Sequence, residues 1–302
     1  MAPWPFQCSH QVIINTPAFF NSSPSLSLKG RRLRATTGEH ILNKNLSVIL
    51  FSIDGMRPDG LMQAHTPAID TLMDQGAHTL TAQTVMPSST LPCHSSMFYG
   101  CLPERHGITT NTWTPQVRPV PSVIEVVHQA GGVTASFYNW EQLRDLSPPG
   151  FLDASFFLNN CDRPEGDHEV ADLAVRWMQG HEFSLAFVYF GYVDIAGHNH
   201  GWMSDPYIEA IGNADQCVQK VLDAAPDSCL IMLTSDHGGH GQSHGTDCDE
   251  DMTTPVVLAG LDIPAGVTID RPVRITDIAP TITQALQLTM PSDWIGSPLT
   301  FS

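Results

Sequence analysis

Ser47-Val48-Ile49-Leu50-Phe51-Ser52-Ile53-Asp54-Gly55 decides the fold: an apolar run rich in β-branched and aromatic side chains ends abruptly on a carboxylate and a glycine. A short continuous run of this kind reads as a strand buried on both faces, the situation of a strand inside a parallel sheet. Two further runs repeat the pattern. Leu185-Ala186-Phe187-Val188-Tyr189-Phe190 leads to Asp194, and Cys229-Leu230-Ile231-Met232-Leu233-Thr234 leads to Asp236. Open α/β sheets bind ligands beyond the carboxyl ends of their strands, so the three acids are expected along one edge of one sheet.

Helical patterns separate these runs. Thr66-Pro67 reads as an N-cap with a first-turn proline, Ile69, Leu72 and Met73 recur at helical spacing, and Gly76 closes the segment. Similar spacing marks Val123, Val127 and Ala130, then Val170, Leu173, Ala174 and Trp177, then Asp205 to Ala225, then Ile278 to Leu288. Strands are expected at Val133 to Tyr138 and Pro255 to Ala259. The alternation predicts an α/β protein with a mostly parallel central sheet covered by helices on both faces.

With 302 residues, 42% of them hydrophobic, the chain suits one large domain. We expect a single catalytic domain over 46–302 and a poorly ordered extension over 1–45. In that extension Pro, Ser and Asn are scattered, and Arg31, Arg32 and Arg34 follow the apolar residues, the reverse of a secretory signal. Residues 139–166, rich in Pro, Asp, Asn and Phe, are the expected insertion or lid.

A net charge of −17, from 31 acidic and 14 basic residues, argues against nonspecific binding to nucleic acid or anionic membrane. It leaves room for a small phosphorylated substrate, because bound cations reverse the field inside a site. The seven cysteines are odd in number and lack Cys-x-x-Cys pairs, which suits a reducing, cytoplasmic setting. No run approaches the length of a membrane span.

Asp54, Asp194, His198, Asp236, His237 and His244 are the candidate metal ligands. Carboxylate and imidazole suit zinc and similar ions, and a pair of ions can activate an attacking oxygen while stabilising the leaving one. One histidine near an apolar run is ordinarily a hydrogen-bonding residue; delivery of ligand types from three strand ends makes the difference. Gly197 is expected to bend the chain so that Asp194 and His198 face one ion, and Gly238 and Gly239 to let Asp236 and His237 converge. Pro92 suits the first turn of a helix, which sets Thr90 at its positive end, as a capping residue or as a nucleophile aimed at a phosphoryl group.

Taken in order, Ile53-Asp54-Gly55, Thr90-Leu91-Pro92, Glu104-Arg105-His106-Gly107-Ile108, Asp194-x-x-Gly197-His198, Ser235-Asp236-His237-Gly238 and His244-Gly245 resemble the motifs of the alkaline phosphatase superfamily, closest to its nucleotide pyrophosphatase/phosphodiesterase (type I phosphodiesterase) branch. The match covers roughly residues 46 to 300. The resemblance implies a three-layer sandwich in which Thr90 is the nucleophile and passes through a phosphothreonine. It also implies two divalent ions, Zn2+ or alternatively Mn2+. Asp54, Asp236 and His237 would hold one beside Thr90, and Asp194, His198 and His244 the other, with His240 competing for the last role.

Only Arg105 follows the nucleophile closely, with Arg144 and Arg163 more distant, so a phosphodiester or nucleotide pyrophosphate bond is favoured over a dianionic monoester. The alternatives are a phosphomonoesterase or phosphonate hydrolase of the same superfamily, or a catalytically poor relative that binds phosphorylated ligands. Cys93 stands where the branch is expected to carry an asparagine that contacts phosphate, three residues after the nucleophile. It is therefore a candidate substrate contact with weak hydrogen-bonding power. The sulfatase pattern does not apply, because His94-Ser95-Ser96-Met97 follows Cys93 in place of the required Pro and Arg.

Overall fold

The computed structural model describes residues 42–260 and 262–301. Nearly all of the 1–45 extension, with its basic patch, lies outside the described residues. Among the described residues, eight strands form one sheet: β1 (Ser47–Ile53), β2 (Ala77–Gln83), β3 (Thr134–Tyr138), β4 (Ala154–Phe157), β5 (Leu185–Phe190), β6 (Cys229–Thr234), β7 (Thr253–Gly260) and β8 (Val267–Thr268). The helices between them are α1 (Pro58–Gln63), α2 (Pro67–Gln75), α3 (Thr90–Tyr99), α4 (Pro103–His106), α5 (Val123–Gln129), α6 (Pro164–Met178), α7 (Tyr192–His200), α8 (Asp205–Leu222), α9 (Asp249–Met252) and α10 (Ile278–Ala285).

The spatial order is β4-β3-β5-β1-β6-β7-β2-β8. From β4 to β6 every pairing is parallel, and β7 runs antiparallel to both β6 and β2. The reversal follows from the connection. A parallel return needs a crossover unit, usually a helix, and between β6 and β7 there is only the four-residue α9.

Alternate residues of the central strands feed two cores. Val48, Leu50, Phe187, Met232 and Leu258 pack with Met97 and Phe98 of α3, Val123 and Val127 of α5 and Ile282 of α10. Ile49, Phe51, Val188, Leu233 and Val257 pack with Ile69 of α2, Val170 and Ala174 of α6 and Ile211 and Val218 of α8. The period of two along each strand puts helices on both faces, as the sequence pattern predicts.

Residues 139–166 contribute a 3-10 turn at Glu141–Leu146 and the edge strand β4, paired in parallel with β3. In register, Ser52 of β1 stands between Tyr189 of β5 and Thr234 of β6, so the strands deliver Asp54, Asp194 and Asp236 to one edge.

Candidate active site

The site is built on that edge. Asp54 follows β1 and is held by the Tyr189 hydroxyl, which donates to its Oδ2. Gly55 has φ +68°, and a Cβ on it would come within 3.1 Å of Asp194, so left-handed backbone and close approach both require glycine. The Gly55 N–H donates to Oδ1 of Asp236 (3.2 Å).

Asp194 and His198 lie on α7, an uninterrupted helix, one turn apart on one face. Gly197 therefore does not bend the chain. It is glycine because a Cβ would lie 2.6 Å from the Trp202 ring. Close packing also explains Gly238 and Gly239, whose Cβ atoms would meet the Glu250 carbonyl at 2.0 Å and Trp202 at 2.2 Å.

Thr90 occupies the first position of α3, and Ser89, its N-cap, makes no side-chain capping bond. The Thr90 hydroxyl is thus free of a capping task and sits 3.3 Å from His237 Nε2. One turn on, His94 places Nδ1 2.8 Å from the Thr90 carbonyl, and Ser52 Oγ lies 2.9 Å from its Nε2. An Nδ1–H tautomer satisfies both contacts and pins the start of the helix to β1.

Three imidazoles are oriented in one manner. Nδ1 of His237, His198 and His244 lies 2.8, 2.9 and 2.8 Å from the carbonyls of Gly238, Gln242 and Ser88. Donation of each Nδ1–H to its carbonyl leaves Nε2 as a lone pair facing the cleft, the arrangement of metal-binding histidines. Asp54 Oδ1, Asp194 Oδ1 and Asp236 Oδ2 are buried without hydrogen-bond partners. His237 Nε2 stands 3.4 Å from Asp54 Oδ1 and 3.3 Å from Asp236 Oδ2. His198 and His244 present Nε2 at 3.4 and 3.6 Å from Asp194.

These spacings fit a metal ion. Two ligand atoms about 2.1 Å from a tetrahedral ion lie about 3.4 Å apart. Ligand atoms of Asp194, His198 and His244 gather within 4.8 Å of one another, as do those of Asp54, Asp194 and His237, so Asp194 adjoins both groups. The rings of His237 and His244 are stacked with centroids 3.9 Å apart, so the two groups adjoin. His240 is elsewhere, with Asp251 and Cys248.

Electrostatics agree with the spacing. Burial, reinforced by the charges of Asp236 and Asp194, holds the Asp54 carboxyl well above the usual carboxylate range. Burial also raises Asp194, against the pull of His237 and His198. Asp236 is the exception: burial would raise it, but His237, His94 and the Gly55 N–H outweigh that and hold it low. Burial and the neighbouring His237 push His244 down to about 4, so its neutral, ligating form prevails near pH 7. Three carboxylates crowded out of water demand a compensating cation, and the donor set fits divalent zinc-like ions.

Cys93 is removed from the substrate-contacting set. It is fully buried, its Sγ faces the carbonyls of Val85 and Pro87, and burial raises its thiol pKa well above the ordinary value. The fourth position of α3 points into the core, away from the cleft. The amide in the cleft belongs to Asn111, which lines it with Thr90, Trp140, Cys161 and Ile195. Its Oδ1 accepts the Leu91 N–H (2.9 Å), leaving the NH2 to donate. Asn111 belongs to no motif, and Tyr189 was legible only as a strand residue.

Among the described residues, no arginine lines this cleft. Arg105 pairs with Asp293, Arg144 with Glu141 and Asp145, and Arg163 with Glu169.

Residues 48–251 match the family described as type I phosphodiesterase / nucleotide pyrophosphatase. The chain is 26% identical over 272 residues to the catalytic subunit of GPI ethanolamine phosphate transferase 2 of Homo sapiens, covering 83% of this chain and 27% of that one. It is 29% identical over 221 residues to ectonucleotide pyrophosphatase/phosphodiesterase family member 1 of Rattus norvegicus, covering 63% and 24%. The chain thus spans about a quarter of the length of these curated relatives. In fold it is similar to human ectonucleotide pyrophosphatase / phosphodiesterase 5, with TM-score 0.71 at 16% identity over 83% of this chain and 97% of that one. The chain belongs to the type I phosphodiesterase / nucleotide pyrophosphatase family, within the alkaline phosphatase superfamily.

Proposed function

We propose that this chain is a two-metal phosphoester hydrolase that cleaves a phosphodiester or nucleotide pyrophosphate bond through a phosphothreonine at Thr90. One observation carries the reading: unpartnered carboxylate oxygens and Nε2 lone pairs surround a threonine hydroxyl at the start of a helix. Asp54, Asp236 and His237, with Thr90, would hold one ion, and Asp194, His198 and His244 the other. Bound there, zinc or manganese would lower the pKa of the attacking hydroxyl and offset charge on the leaving oxygen.

The chain's own groups supply the rest. The Thr90 oxygen bonds to phosphorus as the ester oxygen leaves, and its proton passes to solvent. Water then cleaves the phosphothreonine, restoring Thr90 and releasing the phosphorylated product. Non-bridging phosphoryl oxygens meet the Asn111 NH2 and the positive end of α3. With no guanidinium among the described residues that line the cleft, a diester suits it better than a dianionic monoester. The small cleft suits a small phosphorylated substrate, which the acidic chain does not exclude once bound cations reverse the local field.

Rates on an aryl diester, an aryl monoester and a dinucleotide, after zinc or manganese loading, test the reading. Diester turnover is expected to fall at least about 10³-fold in Thr90→Ala. A metal-loaded wild type no faster than Thr90→Ala would overturn it in favour of a phospholigand-binding protein, a reading that loses its main support with Cys93 outside the cleft. A second reading draws on the transferase relative, which matches more of this chain than the pyrophosphatase does. An alcohol would then take water's place in the second step, and product analysis with added alcohol distinguishes the two.

A further inference from the structure

The loop from β6 to β7 carries a second kind of ligand cluster, away from the cleft. His240 Nδ1, Cys248 Sγ and an Asp251 carboxylate oxygen gather within 4.8 Å of one another. His240 Nδ1 is 2.7 Å from Asp251 Oδ1 and 3.5 Å from Cys248 Sγ. Both partners share one ring nitrogen, so the trio cannot act as a nucleophile, base and orienting acid, which needs the two on opposite nitrogens. It is instead three donors facing one point.

Ligand distances distinguish the occupants. Nitrogen at about 2.05 Å and sulfur at about 2.3 Å from a tetrahedral ion lie about 3.6 Å apart, close to the observed His240–Cys248 separation. The His240–Asp251 pair is at proton-sharing distance and opens by some tenths of an ångström when an ion replaces the proton. Asp251 is fully buried beneath the cluster, and its other oxygen accepts both the N–H and the hydroxyl of Thr246, so the carboxylate is fixed. The His240 side chain is 47% exposed, which leaves solvent access from above. Asp247, Asp249 and Glu250 flank Cys248 in sequence, and the Glu250 carboxylate accepts from its thiol.

We propose that His240, Cys248 and Asp251 form a third transition-metal site for Zn2+ or a comparable ion, with water or Glu250 in the fourth position. The thiol proton is released to solvent on binding, and His240 keeps its proton on Nε2. Sulfur in the donor set distinguishes this site from the cleft, whose ligands are oxygen and nitrogen only, and favours zinc over magnesium or calcium. The ion would tie residue 240 to residues 248–251 and so clasp the segment that presents His244.

The test uses the whole chain, stripped with chelator and reloaded with Co2+ alone. Thiolate-bound Co2+ gives a charge-transfer band in the near ultraviolet that oxygen and nitrogen ligands do not give, so the readout is independent of turnover. The band is expected in wild type and in Cys161→Ser, a control for the thiol beside the cleft. It should vanish in Cys248→Ser, with one fewer Co2+ per chain, and in His240→Gln. Asp194→Asn, which bears on the cleft, should keep it. A wild type without the band at saturating Co2+, a band that survives Cys248→Ser, or one that disappears in Asp194→Asn would overturn the proposal.

Discussion

Asn111 and Cys93 exchange the roles that sequence order suggests. Cys93, although three residues past Thr90, is fully buried with its thiol toward the Val85 and Pro87 carbonyls, whereas Asn111 reaches the cleft from a loop and accepts the Leu91 N–H. Removing a donor aimed at developing charge costs about 10²–10³ in kcat, so Asn111→Ala should lose that much on an aryl diester. Cys93→Ala should stay within a few-fold, and an equal loss in both variants would refute the assignment. Tyr189 works one step further out by fixing the Asp54 carboxylate. Tyr189→Phe should weaken metal binding about 10–100-fold, measured by chelator competition, with the fold retained.

α7 shows how an element positions chemistry. Its first N–H groups, Gly191 and Tyr192, donate to the buried Asp167 carboxylate, which also accepts from Asn139 at the end of β3 (2.8 Å). Burial raises the Asp167 pKa to about 7 despite these donors. An acid raised on folding binds more protons in the native state. Its contribution is therefore full below the unfolded value near 4 and lost as pH rises through about 7. Between pH 5.5 and 8 the Tm of the wild type should fall relative to that of Asp167→Asn; a pH-independent difference would show that Asp167 stays ionised throughout. The elements most legible in sequence were those buried on both faces. β1, β5 and β6 match their apolar runs to the residue, because only a central parallel strand needs that composition. β2, with His78, Thr79 and Thr81, and the short edge strand β4 carry no such run and went unread. The six candidate ligands could be read because they end legible strands or sit in motifs. Asn111 was not, since only tertiary contact brings it to Thr90.

At the scale of the whole molecule, the cleft concentrates buried negative charge at the sheet edge, so folding and metal binding are coupled. Each of the two proposed metal sites would stabilise by about 2.7 kcal/mol at a hundredfold excess of ion over Kd. Two such sites amount to about 5 kcal/mol, and a chain of this size gains about 2–4 °C in Tm per kcal/mol, so chelation should lower Tm by about 10–20 °C. The pH dependence of that difference has a definite sign. In the ion-free protein, Asp54 and Asp194 are raised by burial, so their contribution is full at low pH and is lost as pH rises through their folded pKa values. His244, pushed down to about 4, acts oppositely, its contribution being lost as pH falls from the ordinary histidine range toward that value. Asp236, held low, contributes throughout the neutral range. Deprotonation of the raised carboxylates destabilises the ion-free protein while strengthening ion binding. The gap between metal-loaded and chelated Tm should therefore widen as pH rises through their folded pKa values, and Asp54→Asn should narrow it by removing one buried charge. A gap that shrinks with rising pH in the wild type would mean that the carboxylates are not what the ions compensate.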